Sequence, residues 1–457
     1  MINGNKINAL LKEKEPDKKW IRDIVQKSLD KRRLSLKETA ALLSVSDTET
    51  LEELFLAAKK VKEEIYGNRL VIFAPLYISN LCKNDCLYCA FRSTNKEVDR
   101  CFLSMLQIKQ ETEAILKAGQ KRILLVAGES YPNDSFQYIL DAIKTVYSAR
   151  DGKNNIRRVN VNIAPLNIDQ FKELKKSGIG TYQLFQETYH KETYEKMHVK
   201  GPKADYEKRI NTIDKAFEAE IDDVGLGVLF GLYDYKFEVL ALMMHIEYLE
   251  KKFGLGPHTL SVPRLEPAIG SSVSLKPPYP VSDIDFKKII AVLRLSVPYT
   301  GIILSTRETP EIRRESFSLG ISQISAGSRT NPGGYSDGGI ENREQFSLGD
   351  HRQLDEVILD VCRMGYIPSF CTGCYRLGRT GLDFMELAKP GEIKNKCLPN
   401  ALISFKEYIC DYASEDVKIL GDKMILDSID KIKNENIKKF VINSLGNVEQ
   451  GARDIYC

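Results

Sequence analysis

Eight short apolar, β-branched runs separated by segments of helical period leave few folds open to this chain. The runs span 70–78, 122–127, 159–163, 179–185, 223–230, 258–263, 300–305 and 319–326. Between them, stretches such as LSMLQIKQETEAILKAG and FEVLALMMHIEYLEKKFG repeat apolar residues every three or four positions. Eight strand–helix units in about 290 residues match a closed TIM-type (β/α)8 barrel of the α/β class. An open doubly wound sheet is the alternative, but eight repeats and near-uniformly apolar strands favour closure. Residues 1–68 read as a helical layer outside the barrel, with Asp47 as an N-cap and Gly67 as a helix stop. The barrel unit is expected over 69–366, ending on the helix HRQLDEVILDVCRMGY, with a helical C-terminal cap over 367–457.

Barrels of this kind carry their chemistry at the C-terminal ends of the strands. The first strand ends at Ser79, and Cys82, Cys86 and Cys89 follow at once as C-x3-C-x2-C, with Tyr88 before the last. Three thiolates on one short loop can hold three irons of a [4Fe-4S] cube and leave the fourth iron open, unlike the usual four-cysteine arrangement. Zinc prefers four ligands in paired knuckles, and no partner pair lies nearby. Structural thiols would follow strand or helix periodicity rather than crowd one loop. The spacing resembles the radical S-adenosylmethionine (SAM) superfamily. That resemblance implies a [4Fe-4S] cluster whose open iron takes the amino and carboxylate groups of SAM.

Other strand ends supply polar partners. VAGES after the second run puts Gly128 and Glu129 at the mouth, the third run ends near Asn162, and the fourth leads into Gln186, Glu187 and Thr188. The sixth ends at Arg264, the seventh at Ser305, Arg307 and Glu308, and the eighth at Ser325, Ser328 and Arg329. A solvated rim is polar too, but convergence with the cysteine loop makes this set a candidate active site. With SAM on the open iron, Glu129 can accept from its ammonium, the backbone at Gly128 can approach closely, and Tyr88 can flank the adenine. The AGE sequence resembles the superfamily's GGE-type motif, with alanine in the first position. Arg307 and Arg329 offer two bidentate carboxylate clamps, more than SAM alone needs, which points to an amino-acid substrate. The glycine-rich stretch 327–350 is longer than ordinary loops and is expected to be a lid over the mouth.

A second set, Cys371, Cys374 and Cys397, follows as C-x2-C-x22-C. The last barrel helix runs from top to bottom, so this set is expected beyond the bottom mouth, on the order of 20 Å from the first. Three ligands again leave one iron open, although zinc with a fourth ligand from elsewhere fits the spacing too, with Cys410 as a possible fourth. Cys101, Cys362, Cys410 and Cys457 otherwise read as structural or incidental. His258 begins the sixth strand and should face the bottom mouth. A histidine there is ordinarily structural, yet this placement makes it a candidate iron ligand. Sixty-six basic against sixty-three acidic residues leave a net charge of +3, too little to argue for nucleic acid. Ten cysteines, six of them in two groups, read as metal ligands in a reducing compartment. The N-terminus lacks the apolar core of a signal peptide, and no run approaches the roughly 18 apolar residues of a membrane span. A soluble, cytoplasmic and oxygen-sensitive protein is expected.

With both cysteine sets in view, the chain resembles the tyrosine lyases of [FeFe]-hydrogenase maturation. The likeness runs through NLCKNDCLYCAFR, LFQETYH, FGLYDYKFEVLAL, GPHTLSVPR, LSTRE, ISAGSRTNPGGY and SFCTGCYRLGRTGLDFM. The C-x2-C-x22-C tail separates this type from the 2-iminoacetate synthases of thiamine biosynthesis, which share the barrel and cleave tyrosine. The resemblance implies reductive cleavage of SAM to a 5′-deoxyadenosyl radical, scission of L-tyrosine to p-cresol and dehydroglycine, and conversion of the latter to carbon monoxide and cyanide at a second cluster. It implies a fifth iron there, ligated by His258 and bridged by a bound cysteine. SAM contacts carry over to Glu129, Asn162, Glu187 and Arg209, and tyrosine contacts to Arg307, Arg329, Ser305 and Ser325. Implied partners are an electron donor such as a ferredoxin or flavodoxin and downstream hydrogenase maturation proteins. A 2-iminoacetate synthase and a non-catalytic iron–sulfur scaffold are the rival readings.

Overall fold

The computed structural model describes every residue except residue 15 and residues 337–341. Eight parallel strands form the barrel: β1 Arg69–Ser79, β2 Arg122–Ala127, β3 Arg158–Asn162, β4 Tyr182–Glu187, β5 Val224–Val228, β6 Thr259–Ser261, β7 Gly301–Leu304 and β8 Gln323–Ser325. Each pairs with the next, and β8 closes the ring on β1 through Val71↔Gln323, Ile72↔Ile324 and Phe73↔Ser325. All eight expected runs contain a strand, with ends that differ from the expected ones by up to four residues. A ninth strand, β9 Ile367–Ser369, lies outside the ring and pairs in parallel with Arg69–Val71 at the start of β1. Three residues with a central proline gave no strand signal. Their pairing nonetheless carries the chain to the underside of the barrel.

The interior differs from a filled barrel. Gly225 and Gly227 on β5 face Gln183 and Phe185 of β4 so closely that a Cβ would meet those side chains at 2.8 and 2.5 Å. With β5 bare, the neighbouring strands' larger side chains fill part of the interior and leave cavities above and below. Alternate residues line them, as strand geometry requires. Phe73, Leu124, Ile303 and Ser325 face an upper cavity, while Val71, Arg122, Gly301 and Gln323, two positions earlier on the same strands, face a lower one. The two cavities share no lining residue and meet at consecutive side-chain layers.

The N-terminal helices Gly4–Leu11, Lys18–Leu29, Leu36–Ser44 and Thr48–Tyr66 pack on the barrel helices Tyr235–Phe253 and Asp283–Ser296. Asp47 caps the fourth by accepting from the Thr50 amide at 3.1 Å, and Gly67 ends it at φ +69°. Helices Gly381–Ala388, Lys394–Asp411, Glu415–Ile429 and Glu435–Glu449 form the C-terminal cap. No helix among the described residues is long and apolar enough to cross a membrane.

Candidate active site and second cysteine site

The first cysteine loop is held from two sides. The Arg100 guanidinium donates to the carbonyls of Asn80, Phe91, Arg92 and Asn95, drawing both limbs of the loop around one half-buried cation. Backbone bonds Asp85 N→Lys200 O, Val199 N→Asp85 O and Leu87 N→Met197 O then zip Asp85–Leu87 onto the segment after β4. His198 completes the join: its Nδ1 donates to the Tyr194 carbonyl at 2.8 Å, and its Nε2 takes the Tyr88 hydroxyl at 2.8 Å. Burial keeps this imidazole neutral, well below its ordinary range, so it can accept that hydroxyl.

Cys82, Cys86 and Cys89 line the upper cavity, of about 190 Å³, together with Tyr88, Gly128, Glu129, Asn162, Glu187, Arg209, Ser305, Arg307 and Ser325. Burial raises the Cys86 and Cys89 thiols, Cys89 to about 11. They therefore ionise only with a cation beside them, as metal ligation supplies. At Gly128 a Cβ would stand 2.2 Å from the Leu81 carbonyl oxygen, so only glycine lets β2 and the cysteine loop approach this closely. Glu129 accepts from Arg209 Nη1 at 2.7 Å and from Asn84 Nδ2 at 2.8 Å. Burial opposes its charge, but Arg209 and Lys203 outweigh burial and hold the carboxyl below the usual range. Lys203 pairs with Glu187 at 2.7 Å. Glu187 sits at φ +68°, a left-handed conformation a non-glycine residue seldom adopts. The turn that follows is fixed by Glu238, which takes the Thr188 hydroxyl and the Tyr189 amide. Asn84, Lys203 and Glu238 had no signal in the sequence, because each reaches the site from a turn or helix with no motif of its own.

The two expected carboxylate clamps separate. Arg307 lies in the upper cavity with its guanidinium 3.3 Å from the Phe346 ring centroid. Arg329 is not among the lining residues; its Nη1 donates to the adjacent Ser328 carbonyl, and the Tyr335 hydroxyl meets its amide. Ser305 and Ser325 accept from the amides of Arg307 and Thr306 at 3.4 and 3.1 Å, fixing the β7 end. Of the expected lid, 337–341 lie outside the described residues. The flanking limbs are tied down, Tyr335 and Ser336 onto the Glu111 carboxylate and Gly349 onto the Thr306 carbonyl. Gln345 and Phe346 enter the cavity, where Gln345 joins the Tyr77 hydroxyl at 2.7 Å to Cys89 Sγ at 3.8 Å.

The second set lies at the opposite mouth. Cys371, Cys374 and Cys397 line the lower cavity, of about 60 Å³, with His258, Asp223, Arg69, Arg122 and Arg379. Strand β9 delivers Cys371 and Cys374, and the first turn of Lys394–Asp411 delivers Cys397. His258 is anchored in the sheet through His258 N→Val224 O and Gly301 N→His258 O, with its Nδ1 4.0 Å from Asp223 Oδ2 and its ring 4.4 Å from Phe384. Both Asp223 oxygens are buried without a hydrogen-bond partner. Cys410 is exposed and not among the lining residues. No group of three or more His, Cys, Asp or Glu among the described residues converges on a single metal ion. Each triplet lines a single cavity, and three thiolates on one cavity are the ligand type an iron–sulfur cluster takes.

The family description "Radical SAM superfamily" matches residues 76–244, and "Biotin and Thiamin Synthesis associated domain" matches 261–367. The 2-iminoacetate synthases of Salmonella typhimurium and Escherichia coli are each 33% identical, over 345 and 359 residues. They cover 75% and 78% of this chain and 89% and 92% of their own length. A crystal structure of HydG, a maturase of the [FeFe]-hydrogenase, is 50% identical with a TM-score of 0.96, covering 100% of this chain and 99% of its own. HydG from Carboxydothermus hydrogenoformans is 44% identical with a TM-score of 0.83, covering 97% and 96%. The full-length match takes in both cysteine sets and the barrel between them. This chain belongs to the radical SAM superfamily and, within it, to the HydG family of [FeFe]-hydrogenase maturases.

Proposed function

We propose that this chain is a cytoplasmic tyrosine lyase that makes carbon monoxide and cyanide for the hydrogenase active site, using one cysteine triplet at each end of its barrel. The observation that carries this reading is the placement of those triplets: each lines its own cavity, one at either end of the same barrel. Membership of the superfamily implies a [4Fe-4S] cluster and SAM. When bound to Cys82, Cys86 and Cys89, that cluster supplies the electron that splits SAM into methionine and a 5′-deoxyadenosyl radical. The name 2-iminoacetate synthase supports the substrate, since 2-iminoacetate is the dehydroglycine left when tyrosine loses its p-cresol portion.

The chain's own groups then have distinct tasks. Glu129, kept ionised by Arg209 and steadied by Asn84, accepts the SAM ammonium. Tyr88, Asn162 and the Glu187–Lys203 pair line the nucleoside end. Arg307, flat on Phe346, takes the tyrosine carboxylate, with Ser305 and Ser325 beside it; Arg329, outside the cavity, supports the loop that carries Ser328 and Tyr335. Below, Cys371, Cys374 and Cys397 would hold a second cluster, and His258, on the same cavity, would ligate a fifth iron that takes free cysteine as a further ligand. Residues 1–68, 69–366 and 367–457 act as helical layer, radical barrel and second-cluster cap. A ferredoxin or flavodoxin delivers the electrons, and later maturation proteins take the product.

Anaerobic reconstitution with iron and sulfide, then SAM, L-tyrosine, cysteine and dithionite, tests this directly. The expected products are p-cresol by chromatography and carbon monoxide by trapping on deoxyhaemoglobin. p-Cresol without carbon monoxide would reduce the chain to a 2-iminoacetate synthase, and neither product would leave only a cluster scaffold.

A further inference from the structure

The two cysteine sets sit in different electrostatic surroundings. Around the upper set two of the three strong cations are paired, Arg209 with Glu129 and Lys203 with Glu187, each at 2.7 Å, and only Arg307 faces that cavity without a salt bridge among the described residues. The thiols there receive backbone amides, from Asn84 and Glu129 to Cys82 and from Phe91 to Cys89, plus the neutral amide of Gln345. The lower set instead faces three arginines, each near a different cysteine. Arg69 Nη2 lies 3.4 Å from Cys397 Sγ, Arg122 Nη1 donates to the Cys371 carbonyl at 2.9 Å, and Arg379 lines the cavity beside Cys374.

None of these three guanidiniums forms an ion pair with an Asp or Glu among the described residues. Arg69 spends its other contact on the Ser322 carbonyl at 3.3 Å, and Arg379 on the backbone oxygen of the last residue, Cys457, at 2.9 Å. The Nε atoms of Arg122 and Arg379 are buried without a hydrogen-bond partner. Among the described residues Asp223 is the one Asp or Glu lining this cavity, so arginines outnumber acidic side chains there before the thiolates are counted. Arg69 and Arg122 are buried, so water screens them little.

A cluster held by thiolates becomes one charge more negative on reduction, and its potential follows net charge, hydrogen bonds to sulfur and burial. We propose that Arg69, supported by Arg122 and Arg379, is a tuning set that raises the reduction potential of the second cluster above that of the first. This rests on the reading that Cys371, Cys374 and Cys397 hold a cluster. The step is the uptake of one electron from the low-potential donor, with no bond made or broken. Its consequence is an order of filling: the lower cluster is reduced before the upper one reaches the state that cleaves SAM.

The test is a potentiometric titration of the fully reconstituted chain, both clusters followed by EPR and iron counted per chain. Arg69→Gln keeps a donor near Cys397 but removes the charge. It should lower the second potential so that the reduced-to-oxidised ratio at a fixed potential falls at least tenfold, equivalent to about 59 mV for one electron, while the first potential stays put. Arg69→Lys should restore most of the difference. If Arg69→Gln loads no second cluster, Arg122→Gln carries the test, with an expected shift in the same direction of about threefold. A loaded Arg69→Gln chain with an unshifted second potential, equal shifts of both clusters, or a loaded Arg122→Gln chain with no shift overturns the tuning. A wild-type chain whose second triplet takes no cluster overturns the second-cluster reading and the tuning with it, so the two failures are distinguishable.

Discussion

At the residue scale, the tightest constraint is Gly128. A methyl there would stand 2.2 Å from the Leu81 carbonyl oxygen, and backbone cannot yield as a flexible side chain can. Gly128→Ala should push the cysteine loop off β2 and cut 5′-deoxyadenosine formation at least tenfold, with far-UV circular dichroism unchanged. The AGE motif pointed to this glycine, but the partner it must avoid became visible only in the fold. Glu238 presents the opposite case, a buried charge site with no motif. Burial pushes its carboxyl up to about 7, against its bonds from Thr188 and the Tyr189 amide. A carboxyl raised on folding stabilises fully below its unfolded value, near 4.5, and that contribution is lost as pH climbs through 7. Relative to Glu238→Gln, the wild-type apoprotein should therefore lose about 3 kcal/mol of unfolding free energy between pH 4.5 and 7.5. Urea titrations at both pH values check this; parallel curves would refute it.

At the scale of elements, the strands were legible because apolar β-branched runs bounded by turns have one main use inside a barrel. The cysteine loop was legible as a motif but not as a structure. Arg100 lies eleven residues beyond Cys89 with no distinguishing context, yet it gathers four of the loop's carbonyls. Arg100→Ala leaves those acceptors to water and frees the loop. Iron held by the upper set should fall by half or more when measured in a Cys371→Ser/Cys374→Ser background, where only that set can load. Full iron retention would show that the backbone zipper to 197–200 suffices. Strand β9 escaped notice because three residues around Pro368 carry no period; its register against β1 was set by the barrel, not by its own sequence. Arg329 was paired with Arg307 because both follow strand ends, and sequence position alone could not tell a side chain in the cavity from one folded back on its own loop.

At the scale of the whole molecule, the barrel works as a spacer that holds the two cysteine sets at its opposite ends, each on its own cavity. The expected opposition of the cysteine sets was readable from the direction of the last barrel helix. The division of the interior into two cavities was not, since it depends on Gly225 and Gly227 making room for Gln183 and Phe185, which no local pattern announces. On the proposed function the upper site cleaves and the lower site converts, so their outputs should separate when one is removed. The decisive measurement is the ratio of carbon monoxide to p-cresol from the anaerobically reconstituted Cys371→Ser/Cys374→Ser chain, beside wild type at equal iron in the upper set. The account expects p-cresol within about threefold of wild type and carbon monoxide at least a hundredfold lower. Carbon monoxide formed in proportion to p-cresol by that variant would contradict it.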